Sequence, residues 1–344
     1  MCLFLKFWNK LLSGIRKYFD KSSAVYPSRV SLLLCTLLAI GGIVIGVLEN
    51  SLSVTANGLI AATEILTSVL FLSAIKQSIK APDYVFNYGY GKYESMAILA
   101  GSTLLSLLLI YTIIEAFKDF GTPIPVKNYH ILIIYSLISY VALRKTAIFL
   151  RKSSAKFQMP LLEYDADVWK TDSFIELGVL VNLAFGAVFS YFNYKIIGKY
   201  IDSATAVLLL TYSLRVQLTH GKSAVNQLLD HTLSENIQFD IISVIAENIN
   251  RFCEFKKVHT RQSGKDIFIE IDVIMPWDYT LEEAYRLEKD VLNSLVEKYP
   301  TAIPRLYVTP CPKDCIHDGK SSCPVKIARD ANKKKVDAGK LKEN

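Results

Sequence analysis

Residues Ser51–Ser95 read SLSVTANGLIAATEILTSVLFLSAIKQSIKAPDYVFNYGYGKYES, and the rest of the chain is read outward from them. The stretch opens as an apolar helix long enough to enter a bilayer, with Glu64 in mid-span and Asn57 two turns before it. It closes in a Gly-punctuated polar turn bearing Lys92 and Glu94. A carboxylate inside a membrane span costs roughly 2.5–3.5 kcal/mol even on the lenient insertion scales. Glu64 must therefore be paired, hydrated or bound to something.

The chain of 344 residues is 51% hydrophobic, with mean hydropathy +0.27 and net charge +7. Its apolar residues are clumped into six runs, about Val30–Leu48, Leu52–Ile75, Met96–Phe117, Tyr129–Leu150, Phe174–Tyr194 and Tyr200–Leu218. Each is near the ~20 residues that a bilayer core requires. The fold class expected is an α-helical membrane protein with a six-span bundle over residues 30–218. The positive balance does not point to nucleic acid, because Lys and Arg gather in the short connections. Lys17, Lys21 and Arg29 precede the first span, Lys76, Lys80 and Lys92 follow the second, and Arg144, Lys145, Arg151, Lys152 and Lys156 follow the fourth. The positive-inside rule then places both termini in the cytoplasm. In residues 1–29 the apolar side chains are interrupted by Lys6, Lys10, Arg16 and Lys17, unlike a cleaved signal peptide. Phe4, Trp8, Leu11, Leu12, Ile15 and Phe19 recur at helical spacing, which suits a surface-lying amphipathic arm or a solvated one.

Beyond Gly221 the pattern changes. Ser234–Arg251 has a helical apolar period, Lys257–Gln262 and Ile267–Met275 alternate as strands about a Ser263-Gly264 turn, and Thr280 with Glu283 forms a capping box opening a helix to about Lys298. Arg305–Val308 adds a last strand. The order αββαβ predicts a small cytoplasmic α+β domain of ferredoxin-like type over residues 219–311, followed by a basic, disordered tail over 312–344. Cys311, Cys315, His317 and Cys323 cluster where domain and tail meet, at a spacing that matches no standard zinc finger. Both metal binding and free thiols fit them.

The fifth span enters as LLEYDADVWKTDSFIELGVLVNLAF, with Asp165 and Asp172 seven residues apart on one helical face and Glu176 one turn deeper. Asn57 and Glu64 have the same separation in the second span. Two such helices facing each other would enclose one cation, and oxygen ligands suit hard divalent ions such as Mn²⁺, Mg²⁺ or Fe²⁺. Simpler readings stand beside this one. Asp165 and Asp167 also fit an interfacial position near Lys156 and Lys170, and Asn57 an interhelical hydrogen bond.

The six spans, the carboxylates in the second and fifth, the loop FNYGYGKYES, the junction NQLLDHTLSE and the run HTRQSGKDIFIEIDV together resemble the cation diffusion facilitator family of divalent-metal/proton antiporters. The resemblance implies a homodimer, held by the cytoplasmic domain, that exports a divalent metal in exchange for protons. It implies a transporter and not an enzyme, with the metal as cargo, no cofactor, and the lipid bilayer and protons as further partners. In a bacterium it implies the inner membrane. The family's transport site, carried over by position, falls on Glu64 and Asp172 as distal acids and on Ile60 and Val168 for the other two ligands. Half of the usual tetrahedral set is thus missing, and His130, His220, His231, His259 and His317 all lie outside these two helices. That argues for Mn or Fe over Zn, which favours His or Cys. The metal set expected is Glu64, Asp172, Asp165 and Asn57, with the last two as our own inferred replacements. Of the positions matching the family's cytoplasmic metal site, Lys256, Asp272, Tyr285, Tyr307 and Thr309, only Asp272 can ligate. The loss of ligands also motivates a rival reading, a non-transporting scaffold or metal sensor of the same descent.

Overall fold

The structure is a computed structural model, and it describes residues 20–49, 52–118, 128–191 and 195–312. Residues 1–19 of the expected amphipathic arm and 313–344 of the basic tail lie outside the described residues, and residues 25–29 of the expected arm belong to the first helix. The chain divides into two compact units, Met1–Leu228 and Leu229–Asn344.

The first unit contains α1 (Val25–Leu48), α2 (Leu52–Ser78), α3 (Lys92–Lys118), α4 (Tyr129–Phe157), α5 (Pro160–Tyr191) and α6 (Lys195–Leu228). On α1 the side chains are arranged inside out relative to a helix of a soluble bundle. From Ser28 onward the buried positions on α1 are Ser28, Ser31, Cys35, Ala39, Gly42 and Gly46, one stripe of small residues. The large ones, Leu33, Leu37, Ile40, Val44 and Val47, face outward. That is the pattern of helices packed in lipid, where small residues let backbones approach and apolar bulk meets acyl chains. The approach is closest between α1 and α2. A Cβ on Gly42 would lie 2.8 Å from the Gly58 Cα, and one on Gly58 would lie 2.5 Å from the Ile43 nitrogen, so neither position has room for a side chain.

Four helices, not six, are long and apolar enough by composition to cross a membrane among the described residues: Val25–Leu48, Asn57–Ser78, Lys92–Ile114 and His130–Phe157. The fifth and sixth helices are longer than the others, at 32 and 34 residues, and each carries a polar stretch beside its apolar run. Asp165, Asp167, Lys170, Asp172 and Glu176 crowd the first half of α5, and Arg215, His220 and Lys222 enter the last part of α6. α6 continues to Leu228, past the end of its apolar run, because polar residues at helical spacing extend a helix beyond the bilayer as readily as apolar ones.

The helices pack most extensively in three pairs, α1 on α2, α4 on α5 and α3 on α6. Between α4 and α5 only Gln158 and Met159 intervene, with Gln158 in a left-handed conformation at φ 53°. Such reversals alternate the helix direction, so α2 and α5 run opposite ways. This governs which polar residues meet.

The second unit is the small α+β domain: α7 (Glu235–Glu247), a 3₁₀ turn at Ile249–Arg251, β1 (Glu254–Ser263), β2 (Asp266–Met275), α8 (Leu281–Lys298) and β3 (Ala302–Pro310). β2 is central, antiparallel to β1 and parallel to β3. The expected capping box is present, with the Thr280 hydroxyl accepting from the Glu283 N–H and the Glu283 carboxylate accepting from the Thr280 N–H. Ile269, Ile271, Val273 and Met275 of β2 pack with Leu287, Val291 and Leu295 of α8 and with Ile241, Val244 and Ile245 of α7.

Candidate functional site

A cavity of about 50 Å³ lies within the first unit. α2 lines it with Asn57, Gly58, Ile60, Ala61 and Glu64, and α5 with Trp169, Asp172, Ile175 and Glu176. Cys35 and Leu38 of α1 and Tyr135, Ser139 and Leu143 of α4 complete the wall. The Glu64 and Asp172 side chains are half-buried and line this cavity. Gly58 lets α1 and α2 close the wall behind them, and the Cys35 thiol donates to the Ala61 carbonyl at 3.1 Å on the same seam.

Of the four residues expected to bind metal, three line the cavity and Asp165 does not. Asp165 is only 4% exposed and lies beside Ser31 and Trp169, whose indole Nε1 donates to the Ser31 hydroxyl at 2.9 Å. In its place stands Glu176, also 4% exposed, whose Oε2 accepts from the Asn57 Nδ2 at 2.9 Å.

The physical reason is helix direction. Asp165 and Asn57 each stand seven residues before their partner acid, but on antiparallel helices that displacement runs in opposite senses. With Asn57 beside Glu176, Asp165 lies eleven residues back along α5, or ~16 Å at a 1.5 Å rise. A cation with oxygen ligands at about 2.0–2.6 Å cannot bridge that gap. Glu176 was visible as a continuation of the Asp165/Asp172 face, and the alternation of span directions is the signal that singles it out. The expected interhelical hydrogen bond of Asn57 is present, and a carboxylate receives it.

The other expectations resolve as follows. Asp167 belongs to a polar cluster across α4, α5 and α6, with Arg151 at 3.2 Å and His220 at 3.0 Å, and Glu163 joins through Arg151 at 2.7 Å. Ile60 lines the cavity, whereas Val168 is 6% exposed within the apolar packing of the bundle. In the second unit Asp272 pairs with Lys257 at 3.5 Å. Cys311 is a buried free thiol, and Cys315, His317 and Cys323 lie outside the described residues. Among the described residues no three His, Cys, Asp or Glu side chains gather as a group that could hold a metal ion. The acids of the cavity are therefore strung along its length instead of converging on one point.

Comparison with known proteins accounts for this architecture. Residues 28–229 match the cation efflux transmembrane domain, and residues 234–303 match the cation efflux protein cytoplasmic domain. The cation-efflux pump FieF of Shewanella oneidensis is 25% identical over 239 residues, 70% of this chain and 78% of that protein. FieF of Citrobacter koseri is 25% identical over 264 residues, covering 76% and 84%. A solved structure of CzrB in a zinc form covers 23% of this chain and 90% of its own at 26% identity, with a TM-score of 0.22, too low to bear on the fold. With both domains in their expected order, the chain belongs to the cation efflux, or cation diffusion facilitator, family and is a multi-pass membrane transporter, not an enzyme.

Proposed function

We propose that this protein moves a divalent transition-metal cation, Mn²⁺ or Fe²⁺ in preference to Zn²⁺, out of the cytoplasm in exchange for protons. The observation that carries the reading is the cavity between α2 and α5, lined by the carboxylates Glu64 and Asp172 and by no histidine. Oxygen donors favour hard divalent ions, and the single thiol in the wall, Cys35, already donates to a backbone carbonyl. Protons and metal compete for the same carboxylate oxygens, so a pair that must release one to take the other couples their movements. Rocking of α2 against α5 about the cavity would alternate its access, as in other transporters that bind at mid-membrane. The distribution of Lys and Arg supports cytoplasmic termini, and the domain matched by residues 234–303 supports a homodimer.

The test is competitive uptake into proteoliposomes under an imposed pH gradient. Mn²⁺ or Fe²⁺ transport that collapses with the gradient, and that micromolar Zn²⁺ inhibits poorly, is the expected result. Tight zinc preference would contradict the selectivity, and transport indifferent to the gradient would contradict the antiport. The rival reading, a non-transporting scaffold or sensor, draws on the lack of a convergent three-ligand group among the described residues. Vesicles in which the wild type moves none of Mn²⁺, Fe²⁺, Co²⁺, Ni²⁺ or Zn²⁺ above background would favour it.

A further inference from the structure

The connection from α2 to α3, residues 79–91, holds large apolar and aromatic side chains outward. Tyr84 is 93% exposed, Val85 62%, Tyr88 52% and Phe86 41%. Hydrating such a patch is unfavourable, and an exposed patch of this kind marks a contact with a protein or a membrane.

The frame beneath the patch is fixed by the loop itself. Asp83 Oδ1 accepts from the Val85 and Phe86 N–H groups at 2.9 and 2.8 Å, and Oδ2 accepts from the Tyr90 hydroxyl at 2.6 Å. Gly89, at φ 79°, closes the turn, its N–H donating to the Phe86 carbonyl at 2.9 Å. The Phe86 ring lies 4.5 Å from that of Tyr90, which is 5.9 Å from that of Tyr93. Tyr84 and Val85 thus project from a backbone already ordered, so a contact made through them loses little further freedom.

Two observations choose the occupant. The first is continuity with the lipid-facing surface. The exposed stripe of α2 passes from Leu66, Val69 and Leu70 through Ser73 to Lys76, and the exposed Ile79 and Lys80 carry it into the loop. Apolar at mid-span and basic at its end, this stripe runs out to headgroup level, where tyrosine rings settle and lysines reach for water. The second is charge. Lys76 and Lys80 are exposed beside the patch, whereas the nearby acids are engaged: Asp83 by the loop's own donors and the buried Glu94 by the Leu161 N–H. Basic side chains at this level attract anionic lipid.

We propose that residues 84–88 seat on the bilayer surface at this end of the bundle, with Tyr84, Val85 and Tyr88 among the headgroups and Lys76 and Lys80 on the phosphates of anionic phospholipid. The loop is then an anchor for the end of α2, the helix that carries Asn57 and Glu64. The proposal is independent of which ion the cavity takes.

The experiment uses the full-length chain carrying Tyr84→Trp, in phosphatidylcholine vesicles with and without phosphatidylglycerol. It is read against the wild type, whose Trp8, Trp169 and Trp277 supply the background. Lipids brominated high on the acyl chain quench indoles that touch them. The added emission is expected to be blue-shifted from that of a water-exposed indole and to fall by at least half in brominated vesicles. Quenching should be stronger with phosphatidylglycerol present, and Lys76→Gln with Lys80→Gln should remove that difference. Added emission that is water-like and unquenched would overturn the proposal. So would emission that is blue-shifted yet unquenched, which places the loop against protein instead of lipid. Equal quenching in the two lipid mixtures would overturn the choice of anionic phospholipid. Should Tyr84→Trp fail to fold, Val85→Trp is read in the same way, with the same outcomes.

Discussion

Replacing Glu64 or Asp172 by alanine removes one of the cavity's carboxylates and, on the proposed function, abolishes metal transport in vesicles while the protein still inserts. Wild-type transport by either variant would refute the site. The structure separates the two vacant family positions just as sharply. Ile60 lines the cavity, so Ile60→His adds a nitrogen ligand there and should shift competition in vesicles toward Zn²⁺. Val168 is buried among apolar neighbours, so Val168→His should leave selectivity alone and destabilise the protein by about 1–3 kcal/mol, read from its melting curve. Asp165 shows the limit of reading acids by spacing. Its place on the α5 stripe is correct, but height along the helix axis decides what it can share.

Among the elements, the turn GYGKYES does more than reverse the chain between α2 and α3. Glu94, only 1% exposed, reaches the start of α5, where its Oε2 accepts from the Leu161 N–H at 3.3 Å. Lys92 reaches the end of α6, where its Nζ donates to the Leu228 carbonyl at 3.3 Å. An anion at a helix N-terminus and a cation at a C-terminus each complement the helix dipole and satisfy groups that the helix cannot. Glu94→Ala should therefore lower stability by about 1–2 kcal/mol in detergent melting, with Glu94→Gln falling between it and wild type. Ahead of that turn, Asp83 staples its loop by accepting from the Tyr90 hydroxyl at 2.6 Å and from the Val85 and Phe86 N–H groups. The Tyr90 hydroxyl, then the Phe86 N–H, hold the Asp83 carboxyl below its ordinary value. In the second unit Asp240 joins α7 to the end of α8, with Lys298 at 2.7 Å and the Tyr299 hydroxyl donating to it. Lys298 first, and Tyr299 next, depress the Asp240 carboxyl below 3.8. A depressed acid stabilises the fold above its unfolded value and loses that contribution as pH falls through the folded one. Hydrogen exchange in the full-length protein should thus quicken around Asp240 and Tyr299 only below about pH 4, and Asp240→Asn should remove that pH dependence.

At the scale of the whole molecule, the proposed homodimer is checked by native mass spectrometry of the detergent-solubilised chain, where a mass of two copies is expected and a monomer at working concentration would contradict it. The αββαβ order, the capping box at Thr280 and the face that Asp172 and Glu176 share on α5 were legible in the sequence, because each rests on periodicity or on contacts within a few residues. The apolar runs stood out for the same reason, and on α5 the acids Asp165, Asp167 and Asp172 stand ahead of the run that begins at Phe174. Pairing was not local, and only the tertiary structure decided it. β3 lies parallel to β2 because α8 carries the chain back across the sheet. Asn57 meets Glu176, and not Asp165, because α2 and α5 run in opposite directions. Spacing along a helix fixes which face a side chain takes, while the direction of the neighbouring helix fixes what that face meets.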